Sequence, residues 1–289
     1  MRERVGKLTA SPWLYLAPAF ALLGVFLLYP VTNTVYLSFF DRRSEVFVGL
    51  DNYIYLFTHP DTLVVFRNNL MWLVLFTGAT VTLGLLLAVL TNLVRYEAMA
   101  KAIVFVPMAV SFTAAAVIWR FMYIYQPAEF VQTGVVNAVM VALGFDPIAW
   151  ITTRSVNNFA LIASGVWMWT GFALVVISAG LKGIPTEIIE AARVDGATET
   201  QIFWHVLLPM LRSVIVVVAV TLVINSLKVF DLVYVMTFGN FETDVLANRM
   251  FKEMFTFGNF GRASAVAVIL LLAIVPLMAL NIRRFRREQ

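Results

Sequence analysis

Gly183-Ile184-Pro185-Thr186-Glu187-Ile188-Ile189-Glu190-Ala191-Ala192-Arg193-Val194-Asp195-Gly196-Ala197-Thr198-Glu199-Thr200-Gln201-Ile202-Phe203-Trp204-His205-Val206-Leu207-Leu208-Pro209 lies between two long apolar runs. Pro185 suits the first turn of a helix, where no N–H is needed. Glu187 and Glu190 favour the positive end of that helix. Asp195-Gly196 is a turn signal. Thr198 and Gln201 stand at capping-box spacing and restart a helix. Ile202, Phe203, Val206 and Leu207 give the second helix an apolar face, and Pro209 marks a bend back towards the next apolar run. The segment therefore predicts a helix–turn–helix held outside a bilayer. Its apolar face requires cover, either from a partner or from the lipid interface.

The flanking runs, 159–181 and 213–234, are joined by four more at 13–37, 69–93, 102–124 and 263–280, each bounded by charge, Pro, Gly or Asn. Each approaches or exceeds the roughly 20 residues that a spanning helix needs. Of the 289 residues 61% are hydrophobic and 13% charged, and mean hydropathy is +0.86. A soluble domain of this length could not bury so much apolar surface, which excludes a water-soluble enzyme. Continuous runs also argue against a β-barrel, whose strands alternate over about ten residues. The expected fold is an all-α integral membrane protein with six transmembrane helices in one domain, with residues 182–212 as an internal loop.

Lys and Arg set the orientation. With the N-terminus inside, twelve of the 21 basic residues fall on the inner side, among them Arg2, Arg4, Lys7, Arg193, Arg286 and Arg287; seven fall outside. Both termini are expected to be cytoplasmic. The same bias accounts for a net charge of +4 without nucleic-acid binding. Arg2, Arg4 and Lys7 precede an apolar run as in a signal peptide, but no small-residue cleavage site follows, so the run is read as an uncleaved first span. The outer loops, 41–68, 125–158 and 235–262, are too short for a large domain, and 137–143 reads as a short helix.

Several chemistries drop out. The chain has no Cys, hence no disulfide framework or thiolate site. His59 and His205 are the only histidines, and in this topology they lie on opposite sides of the membrane. No G-x-x-x-x-G-K-[ST] string occurs, so ATP is not expected to bind here through a P-loop. The fifth run is the least lipid-like: Asn225, Ser226, Lys228 and Asp231 follow 214–224. A charge at mid-bilayer costs roughly 2.5–3.5 kcal/mol, so these residues face a cavity, a partner helix or the outer interface. On a continuous helix Thr221, Asn225, Lys228 and Asp231 share a face, and Lys228 and Asp231 pair at i, i+3. They read either as a structural ion pair or as a solute contact. Trp167, Trp169 and Phe172 in the fourth run read either as packing aromatics or as a flat apolar platform for a sugar ring.

The loop carries a family signature. Glu190-Ala191-Ala192, three residues, Gly196, nine residues, then Val206-Leu207-Leu208-Pro209 resembles the EAA loop of ABC importer permeases. Phe230-Asp231-Leu232-Val233-Tyr234-Val235-Met236-Thr237 is similar to the binding-protein-dependent sugar permeases of the MalF type. Leu246-Ala247-Asn248-Arg249-Met250-Phe251 and Asn281-Ile282-Arg283-Arg284-Phe285-Arg286 look most like the α-glucoside subgroup. The best-known maltose permease has extra N-terminal spans and a large external domain, neither of which this sequence shows. Maltose itself is therefore not carried over.

The resemblance implies a type I ABC importer permease in a bacterial or archaeal plasma membrane. It implies a second permease as heterodimer partner, two cytosolic ABC ATPases that bind ATP and Mg, and an external solute-binding protein. This chain is then a transport subunit with no cofactor of its own. Glu190, Ala191, Ala192, Asp195, Gly196, Phe203, Leu208 and Pro209 are the implied ATPase-coupling residues. Counting along the motif selects Gly165, Trp169, Phe172, Leu222, Asn225, Ser226 and Val229, of which Trp169, Phe172, Asn225 and Ser226 are the implied sugar contacts; Gly165 and, from the polar end of the fifth run, Lys228 and Asp231 are further cavity candidates. Permeases for glycerol phosphate or an amino acid share the loop. An ion-coupled secondary transporter would need a proton or sodium relay that Lys228 and Asp231 alone do not supply.

Overall fold

A computed structural model describes residues 12–285, with side chains from 15 to 276. Arg2, Arg4, Lys7, Arg286 and Arg287, which enter the charge bias, lie outside the described residues, as do the side chains of Arg283 and Arg284. Among the described residues the chain is helical, with one isolated antiparallel bridge between Phe40 and Phe47.

Helix α1 (Tyr15–Leu37) presents its apolar window entirely at the surface. Pro30 within it has no N–H and would crowd the carbonyl four residues back. The helix answers with a wider π-turn over Gly24–Leu28, closed by the Tyr29 N–H on the Gly24 carbonyl. A short α2 (Asp51–Thr58) leads into α3 (Pro60–Asn92), 33 residues long. The second apolar run was expected to begin at 69. The helix begins at Pro60 because Asn68 and Asn69, although polar, are buried and hydrogen-bonded within the protein.

The third run is not one straight span. Helix α4 (Glu97–Ala109) and α5 (Phe112–Met122) meet at 100°. The α4 helix tightens over Val106–Ala109, around Pro107. The Ser111 hydroxyl then caps α5 by accepting the Ala114 N–H. Helix α6 (Val135–Ala142) occupies the expected helical part of the following loop, pinned by buried Asn137, whose amide bonds the carbonyls of Ile124 and Ile148.

Helix α7 (Asn157–Lys182) is the axis of the molecule. Its apolar window is two-thirds buried, and α3 packs beside it, with α4, α5 and α10 also against it. At about 1.5 Å per residue its 26 residues exceed the roughly 30 Å of a hydrocarbon core. At its C-terminal end Glu97 of α4 pairs with Lys101 and with Lys182 at 2.7 Å. Lys101 also reaches Ser178 and Asn92. One charge cluster thus ties the ends of α3, α4 and α7 together.

The loop after α7 forms α8 (Thr186–Val194) and α9 (Glu199–Met210). Chain direction turns by 65° into α10 (Arg212–Leu227). The bend falls at Leu211 and not at Pro209. Pro209 stays helical because the preceding turn, Phe203–Leu207, opens into a π-turn in which the Leu208 N–H bonds the Phe203 carbonyl. The fifth run, expected to continue to 234, breaks after Leu227. Lys228, Val229 and Phe230 are non-helical, and α11 (Asp231–Thr237) restarts beyond them. Then come α12 (Leu246–Phe251) and α13 (Phe260–Phe285), the latter packed against α1 and α12.

At the end opposite the coupling loop, a polar knot joins α3, α7 and the 238–248 segment. Asn68 donates to the Glu242 and Asp244 carbonyls at 2.7 and 2.8 Å. Asn157 donates to the Phe241 carbonyl at 2.8 Å, and Asn69 accepts the Leu246 N–H at 2.7 Å. The Glu242 carboxylate meets Arg154 at 2.7 Å and Arg67 at 3.7 Å. Phe238, Phe241 and Glu242 hold left-handed φ of 56°, 56° and 62°, a conformation that such residues keep only when their surroundings impose it.

Candidate functional site

Both breaks face the middle of α7. A cavity of about 200 Å³ is lined there by Gly165 and Trp169 of α7, Asn225 and Ser226 of α10, Lys228, Val229 and Phe230 of the break, Asp231 and Leu232 of α11, Phe112 of α5, and Trp72 and Phe76 of α3. Gly165 and Trp169 are the ninth and thirteenth of the 26 residues of α7, so the cavity sits halfway along it. Non-helical backbone at that depth is tolerated where it lines a cavity rather than lipid. Six of the seven expected solute residues converge: Trp169, Asn225, Ser226, Gly165, Lys228 and Asp231. Phe172 does not line the cavity. It stands edge-on to Trp169 at 5.6 Å and steadies that ring.

The break overturns two helical expectations. Lys228 and Asp231 are not i, i+3 neighbours on one helix, and among the described residues they form no ion pair. Lys228 is exposed, and Asp231 accepts from the Thr113 hydroxyl at 3.4 Å. Thr221 and Asn225 stay i, i+4 neighbours on α10, with the Thr221 hydroxyl on the Val217 carbonyl, while the break takes Lys228 and Asp231 off that helix. The Asn225 amide donates to the Thr221 carbonyl at 2.8 Å, which leaves its carbonyl oxygen for the cavity.

Sequence reasoning missed Trp72, Phe76 and Phe112. Trp72 is 1% exposed and its indole N–H has no partner. Gly165 makes its position possible, since a Cβ there would stand 2.9 Å from Trp72 Cζ3. Phe112 faces Trp169 at 6.1 Å. No sequence signal names Trp72, which lies in a uniformly apolar run. Pro107 and Ser111, a break followed by a cap, mark the turn that delivers Phe112.

Residues 182–212 form the helix–turn–helix expected. Gly196 has φ +82°. Thr198 accepts the Gln201 N–H while the Gln201 side chain accepts the Thr198 N–H, completing the capping box. Pro185 stands just ahead of the first turn. Arg193 bridges the turn to Glu199 at 2.8 Å and holds that carboxyl below the ordinary carboxylate range. Glu190, Ala191, Asp195, Gly196 and Pro209 are exposed; Ala192, Phe203 and Leu208 are half-buried.

Of the apolar face of α9 the chain itself buries Ile202, while Phe203, Val206 and Leu207 stay half-buried. Ile202 is 1% exposed, and with Phe203 and Leu207 it lines a cleft against Val89, Leu93, Leu181 and Ile189. What projects is Val194 at 87% exposure and Trp204 at 58%. The loop faces the ends of α3 and α7 across this cleft, and α9 runs on into α10. Helices α7 and α10, which wall the mid-helix cavity, are thus joined in sequence by this loop.

Residues 80–285 match the family described as the binding-protein-dependent transport system inner membrane component. This chain belongs to that family. It is therefore the membrane component of an ABC importer in the inner membrane, a transport subunit and not the ATPase. It is 57% identical over 276 residues to an osmoprotective compounds uptake permease protein, GgtC, of Synechocystis sp., covering 96% of this chain and 99% of that one. It is 45% identical over 278 residues to an alpha-glucoside transport system permease protein, AglF, of Rhizobium meliloti, covering 96% and 83%. Its fold resembles a solved bacterial ABC transporter of the acidic polysaccharide alginate, with TM-score 0.79, 24% identity and coverage of 97% and 99%. A second solved form of an alginate transporter is in complex with its oligosaccharide-bound periplasmic protein, and another permease of like fold belongs to a methionine ABC transporter, with TM-score 0.56. A binding protein and an ATPase are the kinds of partner that such permeases work with.

Proposed function

We propose that this permease imports an α-glucoside, of the size of trehalose or a maltose-type sugar, by ATP-driven alternating access. The observation that carries the reading is the mid-helix cavity, where aromatic Trp169 and polar Asn225, Lys228 and Asp231 meet at two broken helices; Ser226 shapes its wall, with its buried hydroxyl on the Val223 carbonyl. A flat apolar ring face and a few convergent hydrogen-bonding groups are what a pyranose needs. The α-glucoside relative supports this substrate class, and the relative named for osmoprotective compounds fits uptake of a small solute.

The working unit is a heterodimer with a second permease, two cytosolic ATPases that bind ATP and Mg, and an external binding protein that delivers the sugar. Closure of the ATPase dimer draws the coupling loops together through Glu190, the Ala191-Ala192 surface and the Gly196 turn. Because that loop joins α7 to α10 in sequence, its movement shifts both walls of the cavity and exposes Trp169 and Asn225 to the outside. Hydrolysis then returns them. Both termini are cytoplasmic, with the coupling loop on the same side.

The test is uptake of labelled trehalose and maltose by proteoliposomes holding the whole transporter and its binding protein. Trp169→Ala with Asn225→Ala is expected to lower uptake at limiting sugar by tenfold or more, equivalent to about 1.4 kcal/mol or more of lost binding, while the complex still purifies intact. Unchanged uptake in that double variant would overturn the site, and no transport of either sugar by the unaltered complex would overturn the substrate class.

A further inference from the structure

A second cavity, of about 720 Å³, opens at the far end of the same pair of broken helices. Its walls include Arg120 of α5, Tyr125, Thr152, Tyr234 of α11, Asn240 and Phe241. Helices α5 and α11 lie side by side and run in the same direction: Thr113 meets Asp231 beside the inner cavity, and Arg120 meets Val235 at the outer one. Seven residues of α5 separate Thr113 from Arg120, about 10 Å of helix rise. A solute moving along this pair meets the outer cavity first and the inner one a ring or two later.

The lining suits a carbohydrate. Tyr125 is 44% exposed and Phe241 equally so, giving aromatic surface that is not used up in packing. The Arg120 guanidinium has one protein acceptor, the Val235 carbonyl at 3.4 Å, and no carboxylate partner among the described residues. Thr152 and Asn240 add exposed hydroxyl and amide groups. The wall is also held in place. The buried Tyr123 hydroxyl donates to the Ala160 carbonyl at 3.1 Å, and Asn157 fixes the Phe241 carbonyl. By volume, at roughly 30 Å³ per water, the inner cavity holds about seven waters' worth, the space of one sugar ring, and the outer one over three times that.

We infer that the outer cavity is a second sugar subsite, in which Arg120, Asn240 and the Tyr125 and Phe241 rings hold an α-glucoside before its leading ring passes to Trp169 and Asn225. This rests on the α-glucoside reading above. Selection by chain length would then arise in the permease itself, since the inner cavity admits one ring at a time.

The chain has no Cys, so Ala149→Cys in the outer lining and Val229→Cys in the inner one each give it a single reporter thiol beside, and not in place of, the sugar contacts. The intact transporter with its binding protein, in nanodiscs, is treated with a maleimide with and without maltose, and modification of this chain is read by mass spectrometry. At a sugar concentration ten times the Kd, modification is expected to slow about tenfold at both positions, following 1 + [L]/Kd. Adding Arg120→Gln is expected to abolish protection at Ala149→Cys and leave it at Val229→Cys. Protection at Val229→Cys alone overturns the outer subsite and leaves the α-glucoside reading standing. Protection at Ala149→Cys that survives Arg120→Gln reports closure without sugar contact and also overturns it. Protection at neither position overturns both.

Discussion

Gly165 shows how much of the site depends on one missing side chain. A Cβ at that position would come within 2.9 Å of Trp72 Cζ3 and 3.3 Å of Trp72 Cη2, the outer six-membered ring of a buried indole. Trp72 is 1% exposed and has little room to retreat except into the cavity, which it would fill. Gly165→Ala is therefore expected to cost about 1–3 kcal/mol in overpacking and to block uptake. Trp72→Phe removes the atoms that clash, so adding it to Gly165→Ala should restore part of the uptake, a coupling that neighbours in contact show and distant residues do not. Uptake by reconstituted single and double variants checks this. If the double variant is no better than Gly165→Ala alone, Gly165 does not act by seating Trp72. Counting along the family motif brought Gly165 to notice as a cavity residue. The structure gives a different reason for it, since the glycine makes room for an aromatic wall.

The elements divide into those whose signals are local and those that depend on tertiary context. The capping box at Thr198 and Gln201 and the turn at Asp195-Gly196 are written in neighbouring residues, and both form as read. Gly196 has no heavy atom within 4 Å of where a Cβ would lie, so its requirement within this chain is φ and not space. Gly196→Asn, which tolerates left-handed φ, is expected to keep sugar-stimulated ATPase near the unaltered level. Gly196→Val, β-branched and strongly disfavoured there, should lose most of it, at a conformational cost of about 1–2 kcal/mol or more. Equal loss in both variants would mean that a partner's close approach, and not the turn, sets the requirement. The apolar runs were legible because hydropathy needs no knowledge of packing; among the described residues three helices are long and apolar enough to cross a membrane, or up to five if each bent pair is one span. The breaks were less legible. Pro107 and Ser111 announced the first, but a run of 23 residues from 102 to 124 looked long enough to cross unbroken. The second, at Lys228-Val229-Phe230, contains neither Gly nor Pro. Only the polar cluster from Asn225 to Asp231 hinted at it, and that cluster reads equally well as one face of a continuous helix. The apolar face of α9 was read as awaiting cover; the chain buries Ile202 and leaves Phe203, Val206 and Leu207 half-buried beside an open cleft that Val89, Leu93, Leu181 and Ile189 also line, a partial cover that no local signal reveals.

At the scale of the whole molecule, two clamps hold the bundle at its opposite ends, and the cavity lies between them. At the loop end, Glu97 binds Lys101 and Lys182; at the other, Asn68 binds the backbone of a segment 174 positions away. The second clamp holds three non-glycine residues in left-handed conformations, each costing about 1–3 kcal/mol, and it also positions Phe241 in the outer cavity. Two kinds of contact could supply the restraint, and their expected sizes differ. Arg154 and Glu242 form a pair whose side chains are 71% and 38% exposed, worth about 0–1 kcal/mol at such a surface. Asn68 is fully buried, and its amide satisfies two backbone carbonyls. Replacing it with Leu leaves the Asp244 carbonyl without that donor and the Glu242 carbonyl with only the Asn158 amide at 3.3 Å, at about 1–3 kcal/mol for a buried acceptor left unpaired. Asn68→Leu is thus expected to lower the unfolding temperature of the purified transporter clearly and to reduce uptake through the displaced 238–242 wall, while Arg154→Gln changes both little. Thermal unfolding of the two variants in the same detergent decides the matter. If Arg154→Gln destabilises as much as Asn68→Leu, the surface ion pair holds the clamp, and the strained segment will then be sensitive to salt, because screening weakens an exposed pair far more than a buried amide.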